Sequence, residues 1–300
     1  MKLSCKLLLD LQSELGEGLL WDSLRGRLLM TDILKGQLLD IDIDTGNRQT
    51  WAFDESLAWV LKTDRTGAYL LGLGSGIAGF DIHRSESLHW INREFPGHPN
   101  HRLNDASVDA WGVIWLGSMN GDDPWADDGQ LASFSFQNGL HVHDSQFTVT
   151  NGPVVSVDGQ YLFLNDTLRG TVYRYRVSEG RDTLTERQVF AQFDSAQGYP
   201  DGMCFDTNGN LWVALWGGAS IVQLDPMGRV LRQVPVPAKN VTNVCFCGSS
   251  LDRLVVSSAS IEMSDAEHLQ FPHAGGLFEI FNHGSCGLPT HCVNVDSTWT

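Results

Sequence analysis

The 300-residue chain is short of positive charge: 20 Lys and Arg stand against 36 Asp and Glu, a formal net charge of −16. A surface of that sign repels a polyphosphate backbone, which excludes nucleic acid as a partner. No apolar run approaches the roughly 20 residues that a membrane-crossing helix needs, so no membrane partner is expected. The opening stretch MKLSCKLLLDLQSELGEG has a brief apolar run broken by Lys6 and Asp10 and no small-residue cleavage site. It does not read as a secretory signal, and a cytoplasmic protein is the expectation. The six cysteines form no CxxC pair, which points to reduced thiols. Cys245 and Cys247 resemble half a metal site, but without a second pair they read as small core residues. There is no G-x-S-x-G elbow to anchor a serine hydrolase and no helical periodicity of any length.

What the chain has instead is strand and turn material. The hydrophobic share is 42%, enough for a sizeable core, and it comes with ten Trp and 31 Gly. Aromatic residues favour strands, and glycine marks the tight turns between them. The segments LLWDSLRGRLLMTD, VLKTDRTGAYLLGLG, ASVDAWGVIWLGSM, VVSVDGQYLFLND, MCFDTNGNLWVALW and VCFCGSSLDRLVVSSA share one design: apolar strand, polar turn with Asp or Gly, apolar strand. The turns recur about every 40 to 50 residues, the period of propeller blades with four strands each. Residues 1–300 are therefore expected to form one all-β domain, a six-bladed β-propeller. An extra strand near residues 2–9 would pair with the last unit and close the ring, removing exposed sheet edges.

Three local patterns carry less than they suggest. Gly74, Gly76 and Gly79 spell G-x-G-x-x-G, but a strand follows where a dinucleotide site needs a helix. Asp40, Asp42 and Asp44 resemble a calcium loop whose glycine comes one place late and whose closing Glu is Trp51, so they read as solvated strand carboxylates. His141 and His143 share a strand face, with no third ligand nearby in sequence.

The chemistry-bearing residues recur at one point of successive units, just before the innermost strands. Glu17 precedes the first unit, Arg102, Asn104 and Asp105 the third, Asn151 the fourth and Asp201 the fifth. Singly, each has a bland reading as a turn dipeptide or surface pair. Their shared position gathers them at one end of a channel, on loops of a rigid scaffold, where sites are built.

At these positions the chain resembles the gluconolactonases and regucalcins (senescence marker proteins). The matching strings are LGEGLLWD, NHRLNDASVDAWGVIWLGSMN, TNGPVVSVDGQYLFLNDT, PDGMCFDTNGNLWVALWGG and AGGLFEI. The resemblance implies that Glu17, Asn151 and Asp201 bind one divalent cation and that Arg102 and Asn104 contact a sugar lactone. It also implies a substrate-contacting carboxylate in the third unit, for which Asp122 is the nearest match, with Asp123 adjacent. Asp201 is assigned the general base.

Glu, Asn and Asp are hard oxygen donors that suit calcium, magnesium or manganese, and the resemblance leaves zinc open. A cation held by three protein oxygens keeps open positions for a carbonyl and a water, as lactone hydrolysis requires. Two other classes compete. One is a calcium-binding propeller without turnover; the other is different chemistry on the same scaffold, such as organophosphate hydrolysis or a metal-free condensation. Turnover of an aldonolactone that chelation abolishes separates the first, and the presence of Glu17, Asn151 and Asp201 argues against the metal-free case. The sugar and the oligomeric state are not legible.

Overall fold

Consecutive apolar residues in the second strand of each unit are buried on opposite faces of their sheet. Leu28 and Leu29, Trp115 and Leu116, and Trp212 and Val213 are all fully buried neighbours, and successive strand side chains point to opposite sides. Leu28 packs with Val255 while Leu29 packs with Val60; Trp115 packs with Leu164 while Leu116 packs with Leu61. Such a sheet must be sandwiched between two others, and a ring of sheets satisfies that requirement for all of them.

The computed structural model describes residues 3–84, 88–93, 100–181 and 183–295. It contains six four-stranded antiparallel sheets, arranged as the blades of a propeller. Blade 1 comprises Gly16–Asp22, Arg27–Asp32, Gln37–Ile41 and Arg48–Ala52; blade 2 comprises Leu57–Lys62, Ala68–Leu73, Gly76–Asp81 and His89–Asn92. Blade 3 runs His101–Val108, Ile114–Asn120, Gly129–Ser135 and Gly139–Phe147; blade 4 runs Thr150–Val155, Tyr161–Asp166, Thr171–Val177 and Leu184–Gln192. Blade 5 is Tyr199–Phe205, Leu211–Trp216, Ser220–Leu224 and Val230–Pro235. Blade 6 takes Asn240–Cys247, Arg253–Ala259 and Leu277–Phe281 from the end of the chain and Ser4–Leu9 from its beginning. The N-terminal strand thus closes the ring, pairing Ser4 with Phe281 and Leu7 with Phe278.

The first strands of neighbouring blades touch one another around the full circle and line the channel. Between every adjacent pair of blades lies one apolar cluster. Burial of a Val, Leu, Ile or Phe side chain contributes roughly 1.5–3 kcal/mol, so these clusters, and not the polar channel, hold the ring together. One short helix, Asp265–Gln270, interrupts blade 6; Ser264 and Glu267 cap it reciprocally.

Asp40 departs from the sequence reading. It is buried, and its carboxylate is clamped by Arg25 and Arg27. The strand ends at Ile41, leaving Asp42 and Asp44 in the turn. A buried acid with two arginine partners and a solvated one give the same alternating pattern in sequence. The glycine-rich 74–79 segment forms the strand–turn–strand expected of it. His143 accepts or donates a 2.8 Å hydrogen bond with Ser133 Oγ.

After blade 6 the chain crosses the end of the channel remote from the site. Thr207 N–H donates to Cys286 O, Thr290 Oγ1 donates to Trp21 O, and Val293 N–H donates to Lys62 O. Val293 is buried in the cluster between blades 2 and 3. This segment roofs a cavity of about 210 Å³ lined by Trp21, Asp105, Cys204, Asn243 and Cys245 among others.

Candidate functional site

All six innermost strands are irregular along the channel: in blade 2 Ala58 is the extra residue between Leu57 and Trp59, and the other five carry a two-against-one bulge. Two residues stand opposite one at Gly18–Leu19, Asn104–Asp105, Gly152–Pro153, Asp201–Gly202 and Thr242–Asn243. A bulge locally breaks the ladder and re-aims the side chains beside it. The predicted polar residues therefore lie within the strands, at or next to these bulges, and not before them as the sequence suggests. The Asn151-Gly152 and Asp201-Gly202 dipeptides are strand residues here, not turns. Gly18 and Gly152, which follow Glu17 and Asn151, take the left-handed conformation at φ of 57° and 54°. A Cβ at Gly152 would lie 2.7 Å from Met203 Cγ, so only glycine fits the kink.

The bulges bring Glu17, Arg102, Asn104, Asn151 and Asp201 to one cavity of about 260 Å³. Its mouth is apolar and aromatic, with Trp125, Tyr199, Trp216 and Ile261 on the rim. Arg102 Nη1 donates to Asn104 Oδ1 at 2.8 Å, and Asn104 Nδ2 donates to Asn151 Oδ1 at 2.8 Å. Asn151 Nδ2 in turn donates to Thr167 Oγ1 at 3.0 Å, which orients the amide with its oxygen toward Asn104. Asn165 Nδ2 donates to the Asp201 carbonyl and steadies the backbone there.

Two buried carboxylates, Glu17 and Asp201, border this cavity, and a third, Asp105, lies next to them on the cavity of about 210 Å³. Glu17 Oε2 accepts from Gly18 N–H at 3.0 Å and Asn243 Nδ2 at 2.8 Å. Asp105 accepts from Ala106 N–H and Gly152 N–H, both at 2.7 Å, so its two oxygens are held by backbone. Desolvation raises all three acids. Asp201 is pushed well above the usual carboxylate range, with repulsion from Glu17 and then Asp105 adding to burial. Asp105 rises to about 7, burial first and the Glu17 charge second. Glu17 is raised by burial, opposed by its hydrogen bonds to Asn243, Gly18 and Asp201. The Arg102 guanidinium is drawn down to about 10 by desolvation against the pull of Glu17 and Asp201, and stays cationic at neutral pH.

These residues fit a divalent cation. Among the described residues, no donor reaches Asp201 Oδ1, a buried oxygen, and an unpaired buried acceptor of this kind is costly without a partner. The fit is with two carboxylates and an amide; no cluster of three His, Cys, Asp or Glu side chains among the described residues is placed to hold a metal. Such hard donors select oxygen-loving ions.

Asp122 stands apart from the other five. It is exposed, Asn100 Nδ2 donates to it, and Asn120 Oδ1 accepts the N–H groups of both Asp122 and Asp123 in a turn. That turn places Pro124 and Trp125, not the two acids, against the cavity. Thr167, Asn165 and Asn243 are further polar residues of the site that sequence reasoning did not single out. Asn243 could have been found by extending the shared-position rule to the sixth unit, where VTNVCFC opens the innermost strand.

Fold and site together define a β-propeller with a buried pocket of acids and amides at one end of its channel. The chain belongs to the SMP-30/Gluconolactonase/LRE-like region family, whose model matches residues 15–260. It is 31% identical over 272 residues to the Bacillus subtilis protein named "Putative sugar lactone lactonase YvrE", covering 90% of this chain and 91% of that one. It is 31% identical to the regucalcin of Danio rerio over 246 residues, 79% of this chain and 80% of the relative. Its fold matches the crystal structure of a calcium-binding protein, regucalcin, from Agrobacterium tumefaciens, with a TM-score of 0.89 at 22% identity over 97% of both chains.

Proposed function

We propose that this protein is a divalent-metal-dependent hydrolase that opens sugar lactones to the corresponding aldonic acids. The observation that carries the reading is the convergence of Glu17, Asn151 and Asp201, with Arg102 and Asn104 beside them, in one cavity at the channel end. Family membership and the lactonase name of a 31% identical relative support the reaction class.

Glu17, Asn151 and Asp201 would hold the cation. Bound there, calcium, magnesium, manganese or zinc supplies Lewis acidity and lowers the pKa of water. Asp201 takes the proton of the attacking water as general base, within reach of the carbonyl that Arg102 and Asn104 orient through the ring hydroxyls. The water oxygen bonds to the carbonyl carbon, the ring C–O bond breaks, and the proton returns to the departing ring oxygen. The apolar rim shields the pocket from bulk water, strengthening each of these interactions. Asp122, exposed in its turn, is left without a role here; Pro124 and Trp125 are the residues of that loop that face the pocket.

The test is hydrolysis of five- and six-membered aldonolactones by protein stripped with chelator and then reloaded with each metal. Turnover that is lost on stripping and restored on reloading supports the proposal. Metal binding without turnover of any lactone would instead assign a calcium-binding propeller.

A further inference from the structure

We infer that Asn243, on the innermost strand of blade 6, is the positioning residue that presents Glu17 to the cation. The inference rests on Glu17 being a ligand, as proposed above. Glu17 and Asn243 are 226 residues apart and belong to the first and last blades, the pair that meets where the ring closes. Asn243 Nδ2 donates to Glu17 Oε2 at 2.8 Å, and the Gly18 N–H reaches the same oxygen at 3.0 Å. With Oε2 doubly held, Oε1 is the oxygen left for coordination.

The orientation of the Asn243 amide is itself determined. Its Oδ1 accepts from Val244 N–H at 2.8 Å, so a flipped amide would set its oxygen against the Glu17 carboxylate and leave a buried N–H without its acceptor. Its position is determined by the neighbouring blade: a Cβ at Gly202 would lie 2.5 Å from Asn243 Cγ, so the side chain is wedged against the residue that follows Asp201. Asn243 therefore holds Glu17 by a hydrogen bond while packing against Gly202, the residue after Asp201. On its other side it borders the cavity of about 210 Å³ beneath the site. Removing it opens that space to Glu17, whose side chain then gains rotamers that face away from the cation. Groups that orient a metal ligand typically account for 10- to 100-fold in metal affinity.

The experiment measures calcium, manganese, magnesium and zinc Kd by calorimetric titration of metal-stripped wild type, Asn243→Ala and Asn243→Leu, the last of which keeps the packing against Gly202. Thermal melts of the metal-free proteins are recorded alongside, with Asp206→Ala as a destabilised control remote from the site. The expected result is about 10- to 100-fold weaker metal binding in both Asn243 variants, with the control binding as wild type does. A Kd within two-fold of wild type in either folded variant, even with a lowered Tm, overturns the inference and leaves the proposed function standing. Failure of wild type to bind calcium, manganese, magnesium or zinc in the same titration overturns both.

Discussion

Asn104 donates its amide N–H to Asn151 Oδ1 at 2.8 Å, which joins a residue read as facing the substrate to one read as facing the cation. An amide oxygen has two lone pairs, so one can serve Asn104 while the other serves an ion. The arrangement depends on Thr167, whose Oγ1 accepts the Asn151 Nδ2 at 3.0 Å and keeps the oxygen pointing inward. Thr167→Val is nearly isosteric and removes that acceptor. It is expected to weaken metal binding roughly 10-fold with little change in fold, as read by calorimetric titration and a thermal melt. Unchanged affinity would mean that Asn104 alone orients the amide.

The fold was legible because the residues that make it are periodic. Asp109 and Asp206 each accept a Trp indole N–H six residues on, Trp115 and Trp212, both at 3.1 Å. The same acid–turn–tryptophan spacing is visible in VDAWGVIW and FDTNGNLW. The site was legible where its residues stand at the start of an inner strand beside glycine, as Glu17, Asn151 and Asp201 do. Asn243 was passed over because no glycine stands beside it in NVTNVCFC, where Glu17, Asn151 and Asp201 each have one. Asp40 was misread because pairing with Arg25 and Arg27 depends on rotamers, which the order of residues does not encode.

Asp206 should be a stability residue with no part in the site. Its carboxylate accepts Trp212 Nε1 at 3.1 Å and Gln223 Nε2 at 2.8 Å, both buried. Asp206→Ala leaves those donors unpaired at roughly 1–3 kcal/mol each. A thermal melt should show a Tm several degrees lower with metal affinity unchanged; an unchanged Tm would mean that the tryptophan finds another acceptor.

The three site acids set a pH dependence of known sign. Asp105 titrates near 3.8 when free and about 7 in the folded protein, and Glu17 and Asp201 are raised as well. A carboxyl whose pKa is higher in the folded state keeps its proton longer there, so metal-free stability from these groups falls as pH rises from about 4 through about 7. A cation replaces those protons. The gain in Tm on adding calcium to stripped protein should therefore be larger at pH 8 than at pH 5. Equal gains at the two pH values would show that binding is not linked to these acids.

Trp125 is 60% exposed at the mouth of the cavity, so its removal costs the fold little. An aromatic contact contributes about 0.5–1.5 kcal/mol beyond area, which corresponds to roughly 2- to 12-fold in KM. Trp125→Ala should raise KM for a lactone by that factor and leave metal Kd alone. A change in metal Kd would place the loop in the cation site instead.

One carboxylate, Asp201, is proposed to serve both the cation and the chemistry, and Asp201→Asn separates the two. Asparagine keeps an oxygen that can coordinate and nearly the same volume, but it has no basic carboxylate. Turnover of an aldonolactone is measured at saturating metal, with occupancy confirmed independently by metal analysis. A drop of about 10² to 10⁴-fold in kcat is predicted, the usual range for a lost general base. A fully metallated variant that turns over at close to the parent rate would contradict it.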